Sequence, residues 1–261
     1  MTATASVIAG LGRPGRWLLG LLPIALIGLV WQLLGRDDSA FFPPPSHWFD
    51  FLEAGGWSPL AGALRTTAVT VAGGLATAAV TGTALGLGIG RSRVLRQALS
   101  PTLEFLRAIP APALVPLVIL FVGQNGRAQV LSVTLAAVWP VLLNSVDAAQ
   151  RIEPLLLDSG RSLGLAQARI VRTIIVPATL PGAFVGVRVA LPIALVVTLL
   201  VAMLTGTAGL GGMLMSAQRS YDTATAYGLL VVAGLLGLAL SLLFGWLQHR
   251  IFRSWHQPAS R

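Results

Sequence analysis

Cysteine is absent from the 261 residues, which excludes disulfides, thiolate nucleophiles, thiolate-held zinc and iron–sulfur clusters. Lysine is absent too, all 18 basic residues being arginine. A Walker-type phosphate loop needs its lysine on the nucleotide phosphates, so the chain is no standard P-loop ATPase. Schiff-base chemistry falls for the same reason. Charge is scarce, at 10% of residues against about 25% in a typical soluble domain. The 3 histidines, His47, His249 and His256, fall in loops or at the C-terminal end, and no acid lies in the middle of an apolar run. Neither an intramembrane enzyme site nor a proton relay is on offer.

What is there is apolar: 55% of residues, with a mean hydropathy of +0.79. A spanning helix takes roughly 20 apolar residues, because about 30 Å of hydrocarbon is crossed at 1.5 Å per residue. Six runs qualify or come close, at residues 17–34, 66–90, 108–123, 128–146, 181–205 and 224–247. The first has no small-residue cleavage pattern and reads as a retained anchor. The third is short and broken by Pro110, Pro112 and Pro116, so it is expected to extend back along residues 99–106. The expectation is an all-α membrane protein with six transmembrane helices, one domain over residues 1–261, and no room for a second soluble domain.

Arginine orients it. With the N-terminus inside the cell, 14 arginines face the cytoplasm, from Arg13 and Arg16 through Arg91, Arg93, Arg96, Arg107, Arg151, Arg161, Arg169, Arg172 and Arg188 to Arg250, Arg253 and Arg261. Only 4 lie outside: Arg36, Arg65, Arg127 and Arg219. The positive-inside rule then puts both termini in the cytoplasm. The outer loops are Gly35 to about Leu64, the Gln124–Arg127 turn, and a Gly-rich stretch from Gly206 to Asp222 that ends in a short helix.

The long inner loop, residues 149–180, is patterned. Leu155, Leu156, Ser159 and Leu163 have helical spacing, Gly164 is a natural stop, and a second helical run from Leu165 to Ile175 is halted by Pro177. Two amphipathic helices on lipid, with Arg161, Arg169 and Arg172 toward anionic headgroups, would give this pattern. So would a surface for a partner protein. A DNA-binding helix-turn-helix bends at a glycine as well, but spans close on both sides and leave no room for a groove, so no nucleic acid is expected.

Asp158-Ser159-Gly160, three residues, Gly164, nine residues, then Ile174-Ile175-Val176-Pro177 resembles the EAA loop of bacterial ABC importer permeases. The family pattern is Glu-Ala-Ala, three residues, Gly, nine residues, Ile, any residue, Leu, Pro. Spacing is kept throughout, while Asp, Ser, Gly and Val replace Glu, the two Ala and Leu. Phe105-Leu106-Arg107-Ala108-Ile109-Pro110 with Leu114-Val115-Pro116-Leu117 is similar to the third-span signature of the nitrate/sulfonate/taurine branch. Trp139-Pro140-Val141-Leu142-Leu143-Asn144 resembles its fourth-span ending, and Ala208-Gly209-Leu210-Gly211 with Ala217-Gln218 its last outer loop.

The resemblance implies a type I (MetI-like) permease fold and an ATP-driven importer of a small solute such as nitrate, taurine or a sulfonate. It implies two copies of a cytoplasmic ATPase docked on the loop, with Asp158, Ser159, Gly160, Leu163, Gly164, Leu165 and Pro177 in the contact. It also implies an extracytoplasmic solute-binding protein, a second permease copy, contact with membrane lipid, and the bacterial inner membrane as location. ATP and magnesium would sit on the partner, leaving no cofactor in this chain and no catalytic or metal-binding residue.

For the pathway, Pro110 and Pro116 free backbone carbonyls that are tolerated only against protein or a wet cavity. Asn144 and Thr198 are polar at depth, although a Thr or Ser hydroxyl usually bonds back to its own helix. Arg188 is expected to find an acid, Asp147 or Glu153, and to gate or pack. Gly82-x3-Gly86-x3-Gly90 and Gly182-x3-Gly186 read as seams where helices approach closely. The competing reading is a stand-alone secondary carrier or lipid-handling protein with no ATPase.

Overall fold

The computed structural model describes residues 13–36, 39 and 41–253, with side chains from Leu22 onward. Asp37, Asp38, His256 and Arg261 lie outside the described residues, as do the side chains of Arg13, Arg16 and Trp17. Among the described residues every regular element is helical. In chain order these are α1 (Arg13–Leu34), α2 (Trp57–Arg91), α3 (Arg93–Ala108), α4 (Ala111–Val122) and α5 (Gly126–Gln150). Then come α6 (Pro154–Ser162), α7 (Gln167–Ile170), α8 (Val176–Thr205), α9 (Leu210–Arg219) and α10 (Thr223–Phe252).

Among the described residues, four helices are long and apolar enough to cross a membrane, and a fifth crossing counts if the bent pair α3–α4 is one span. Contacts divide the chain into two units, residues 58–215 with 231–261, and residues 1–57 with 216–230.

The larger unit is built on α5. Its start is fixed by Asn125, whose side chain accepts from the N–H groups of Arg127 (2.9 Å) and Ala128 (3.1 Å). Its faces carry small residues (Ala136, Ala137, Val141, Ser145), and both glycine seams close on them. A Cβ at Gly186 of α8 would lie 2.6 Å from Val141 Cα, and one at Gly90 of α2 would lie 2.7 Å from the Val146 carbonyl. Backbones this close admit only glycine. The core of Val71, Leu75, Ala78, Val133, Val141, Ala190, Ala194 and Val201 fills the space between.

The smaller unit is organised by aromatics. Trp31 of α1 stacks on Phe42 at 4.7 Å and meets Trp48 and Tyr227 edge-on. The indole N–H groups of Trp31 (3.2 Å) and Trp48 (3.3 Å) both donate to the Pro43 carbonyl. Gln32 and Ser46 bond reciprocally, pinning the segment after α1.

Three expectations change. The third run does not extend backward as one straight helix: α3 and α4 meet at an angle of 87°, as in a broken span or a re-entrant loop. Pro110 pushes Ile109 out of the helical region (φ −67°, ψ 122°) and ends α3 there. With Arg93, Arg96, Glu104 and Arg107 along it, α3 is amphipathic and has no buried residue. Helix α4 has 12 residues, about 18 Å, short of a ~30 Å core. Helix α2 starts at Trp57, well before the expected loop end near Leu64, because Leu60, Ala63 and Thr67 bury one helical face. Pro177 does not halt a helix. Residues 167–205 run on through a wide turn at Val171–Ile175, where Val176 donates to Val171 five residues back and Pro177, lacking an N–H, follows within the first turn of α8.

Candidate functional site

The segment from Ile152 to Ile175 is a helical hairpin with a core of its own. Pro154 opens α6 after an extended Glu153, using proline where no N–H partner exists. Ile152, Leu157, Ile170 and Ile175 are buried together, with Leu165 and Ile174 packed against them. Gly160 is buried at the crossing, where a Cβ would stand 3.0 Å from Ile174 Cδ1 and 3.5 Å from Ile170 Cγ1.

The turn is a Schellman motif. Gly164 has φ +73°, its N–H donates to the Arg161 carbonyl at 2.9 Å, and the Leu165 N–H donates to Gly160 at 3.1 Å. Two of the orphan carbonyls at the end of α6 are thereby satisfied inside the hairpin.

The other face is open. Leu155 (73% exposed) and Leu163 (79%), with Leu156 and Ser159 between them, form an uncovered stripe beside Gly164. Ser159 donates its hydroxyl to the Leu155 carbonyl at 2.8 Å. Asp158 accepts from Arg161 Nη1 at 3.1 Å, both side chains being exposed. Arg169 and Arg172 are exposed as well. The arrangement combines an apolar stripe, one acid, three arginines and a rigid turn. It has the makings of a protein-docking surface.

Of the loop residues expected in a contact, Asp158, Ser159, Leu163 and Gly164 lie on this open surface, while Gly160 and Leu165 serve the hairpin's interior. Pro177 is half-buried at the root of α8.

Next to the hairpin lies a cavity of about 620 Å³ lined by Asn144, Asp147, Arg151, Glu153 and Pro181, with Leu156 of α6 on its wall. Asn144 borders it, with its amide donating to the Pro140 carbonyl at 2.8 Å.

The other pathway candidates scatter. Pro110 and Pro116 are exposed on either side of the α4 start. Thr198 is a correction: it is 2% exposed and donates to Ala194 at 2.8 Å, so it faces the core, not a path. Thr77, Thr81, Ser132 and Thr134 likewise bond to carbonyls of their own helices. Arg188 is also corrected. It is exposed and forms no ion pair with Asp147 or Glu153, because its position on α8 turns it away from α5.

One polar set was missed by sequence reasoning. Thr70 donates to Gln129 Oε1 at 3.4 Å, Gln129 Nε2 donates to Thr207, and Thr67 accepts the Leu210 N–H at 3.0 Å. These bonds tie α2, α5 and the α8–α9 turn together. The signal was a glutamine inside an apolar run, a residue type that is costly there unless partnered.

Comparison with known proteins identifies the family. The family model "Binding-protein-dependent transport system inner membrane component" matches residues 78–257, which includes the hairpin. The chain belongs to this family of transport permeases. Its relatives include the bicarbonate transport system permease protein CmpB of Synechococcus elongatus, 28% identical over 255 residues covering 90% of both chains. The taurine transport system permease protein TauC of Escherichia coli is 26% identical, covering 91% of this chain and 90% of its own length. The nitrate import permease protein NrtB of Synechocystis is 27% identical over 235 residues, 86% of each.

Among solved structures, an inward-facing methionine ABC transporter, MetNI, superposes with a TM-score of 0.59 at 20% identity, over 75% of this chain and 95% of that one. That likeness speaks to fold alone. The permease is thus an ABC importer subunit of the nitrate/sulfonate/taurine type, a multi-pass membrane protein of MetI-like fold.

Proposed function

We propose that this permease forms the translocation pathway of an ATP-driven importer for a small anion delivered by a solute-binding protein. It would act as a homodimer in the bacterial inner membrane, with six spans and both termini cytoplasmic. The cargo belongs with nitrate, taurine, sulfonates or bicarbonate, the solutes in the names of its relatives. Residues 153–175 seat in a cytoplasmic ATPase, one per permease copy, which binds the ATP and magnesium, and this chain holds neither. Closure of the ATPase pair moves the hairpin, and α8, continuous with it from residue 167, carries the motion into the membrane.

The observation that carries this reading is the open Leu155–Leu156–Leu163 stripe on a hairpin that is already packed and capped on its other side. Such a surface is rigid before any partner arrives, so little ordering cost is incurred on docking. The charged cavity at Asn144, Asp147, Arg151 and Glu153 is the candidate inner mouth, with Pro110, Pro116 and Arg188 on the exposed faces available to line a path with a second copy. The solute-binding protein would meet the aromatic-pinned segment after α1 and the α9 region.

Co-purification in detergent with the ATPase encoded nearest the gene tests the reading. The wild type should retain the ATPase, and Leu155→Asp/Leu163→Asp and Gly164→Asp should lose it while still inserting. A wild type that holds no ATPase would overturn the docking role and leave a lone carrier.

A further inference from the structure

A second cavity, about 640 Å³, runs between α2, α8 and α10 on the far side of α8 from the charged mouth. Thr83 is the one polar side chain among its 18 lining residues. A small anion placed there would lose its hydration with nothing in return, so the groove is no part of a path for charged cargo. Its size falls within the roughly 300–1,000 Å³ typical of small-molecule sites, but those carry a few placed polar groups and this one does not. It suits hydrocarbon.

Its length and one of its ends narrow the occupant further. On α8 the lining runs from Leu180 to Leu191, about 16 Å, close to the ~15 Å that one leaflet contributes to the membrane core. Phe184 of α8 stacks on Phe244 of α10 at 5.7 Å and gives the groove a fixed floor. The stripe on α2 continues Val80, Ala84, Leu87 and then Arg91, one helical face ending in a cation. That on α10 continues Leu243, Leu247 and Arg250 in the same manner, and the Arg250 guanidinium lies 5.5 Å from the Trp246 ring, holding it at the level where Trp anchors in an interface. Both arginines are exposed. The lining stripes of two different helices therefore each continue, within one turn, to an exposed arginine.

We propose that this groove seats one acyl chain of an anionic phospholipid from the inner leaflet, with Arg91 and Arg250 binding its phosphate. The side assigned to that leaflet rests on the cytoplasmic orientation of both arginines, and binding in detergent is independent of that orientation, so the two can fail separately.

Native mass spectrometry of the purified full chain, titrated with phosphatidylglycerol or phosphatidylethanolamine, tests it. The wild type should keep one phosphatidylglycerol per chain and prefer it to phosphatidylethanolamine. Arg91→Gln and Arg250→Gln should each reduce that preference by roughly fivefold, since a basic residue near an anionic surface contributes about that factor. Ala76→Phe, at an exposed lining position, should fill the groove and remove both lipids without lowering the melting temperature. No lipid retained by the wild type would overturn the proposal. So would phosphatidylglycerol retained equally by Ala76→Phe, or an Ala76→Phe chain that loses a second copy of itself instead of a lipid.

Discussion

The Leu165 N–H reaches back over Gly164 to the Gly160 carbonyl at 3.1 Å, closing α6 with the one residue of the hairpin that has a positive φ. A Cβ at Gly164 would meet nothing within 4 Å, so the constraint there is backbone conformation and not space. Gly164→Asn should cost the isolated chain least, since Asn visits this region, whereas Gly164→Val should cost about 1–2 kcal/mol. Thermal melting of the two variants in detergent checks the order. Equal melting would mean that the turn is not held as described.

Asp158 and Arg161 pair on the surface, where such pairs contribute roughly 0–1 kcal/mol. Asp158→Asn should therefore leave melting within about 1 kcal/mol of wild type. Its effect belongs to partner binding, read as a weaker hold on the ATPase in pull-down. A large drop in melting with binding intact would assign Asp158 to the fold instead.

Gly186 and Gly88 make a matched contrast. Gly186→Val drives a side chain into Val141 and the Pro140 carbonyl, and an overpacking cost of at least about 1–3 kcal/mol should cut the yield of folded protein sharply. Gly88 has open space around it, so Gly88→Ala should be neutral or gain up to about 1 kcal/mol from helix propensity. Monodispersity on size exclusion, with melting, distinguishes the two.

The same geometry explains what could be read from the chain itself. Glycine seams and the spacing around Gly164 were legible because close approach and a left-handed turn each demand a residue type. Continuity of residues 167–205 was not. Pro177 read as a stop, and only the i→i−5 bond of Val176 reveals how the helix passes it. Leu99 to Leu106 looked like span when counted by apolar content. Arg93, Arg96, Glu104 and Arg107 mark it as one-sided once the 87° bend is known. Arg188 was assigned an acid on the assumption of burial, and it is exposed and pairs with neither Asp147 nor Glu153.

In the smaller unit, Trp48→Phe removes one of two indole donors to the Pro43 carbonyl while keeping most of the stack on Tyr227. The loss should be about 0.5–1.5 kcal/mol. Trp31→Ala removes three ring contacts as well as a hydrogen bond and should do more, exposing the segment after α1 to protease. Equal cleavage in both variants would mean that the ring cluster does not hold that segment.

Because the chain has no cysteine, a single Leu163→Cys reports on the hairpin without background. The decisive measurement is labelling of that thiol by a membrane-impermeant maleimide, in intact cells and in inverted vesicles, with and without the ATPase. The account predicts labelling only in inverted vesicles and protection when the ATPase is bound. Labelling in intact cells, or no protection by the ATPase, would contradict it.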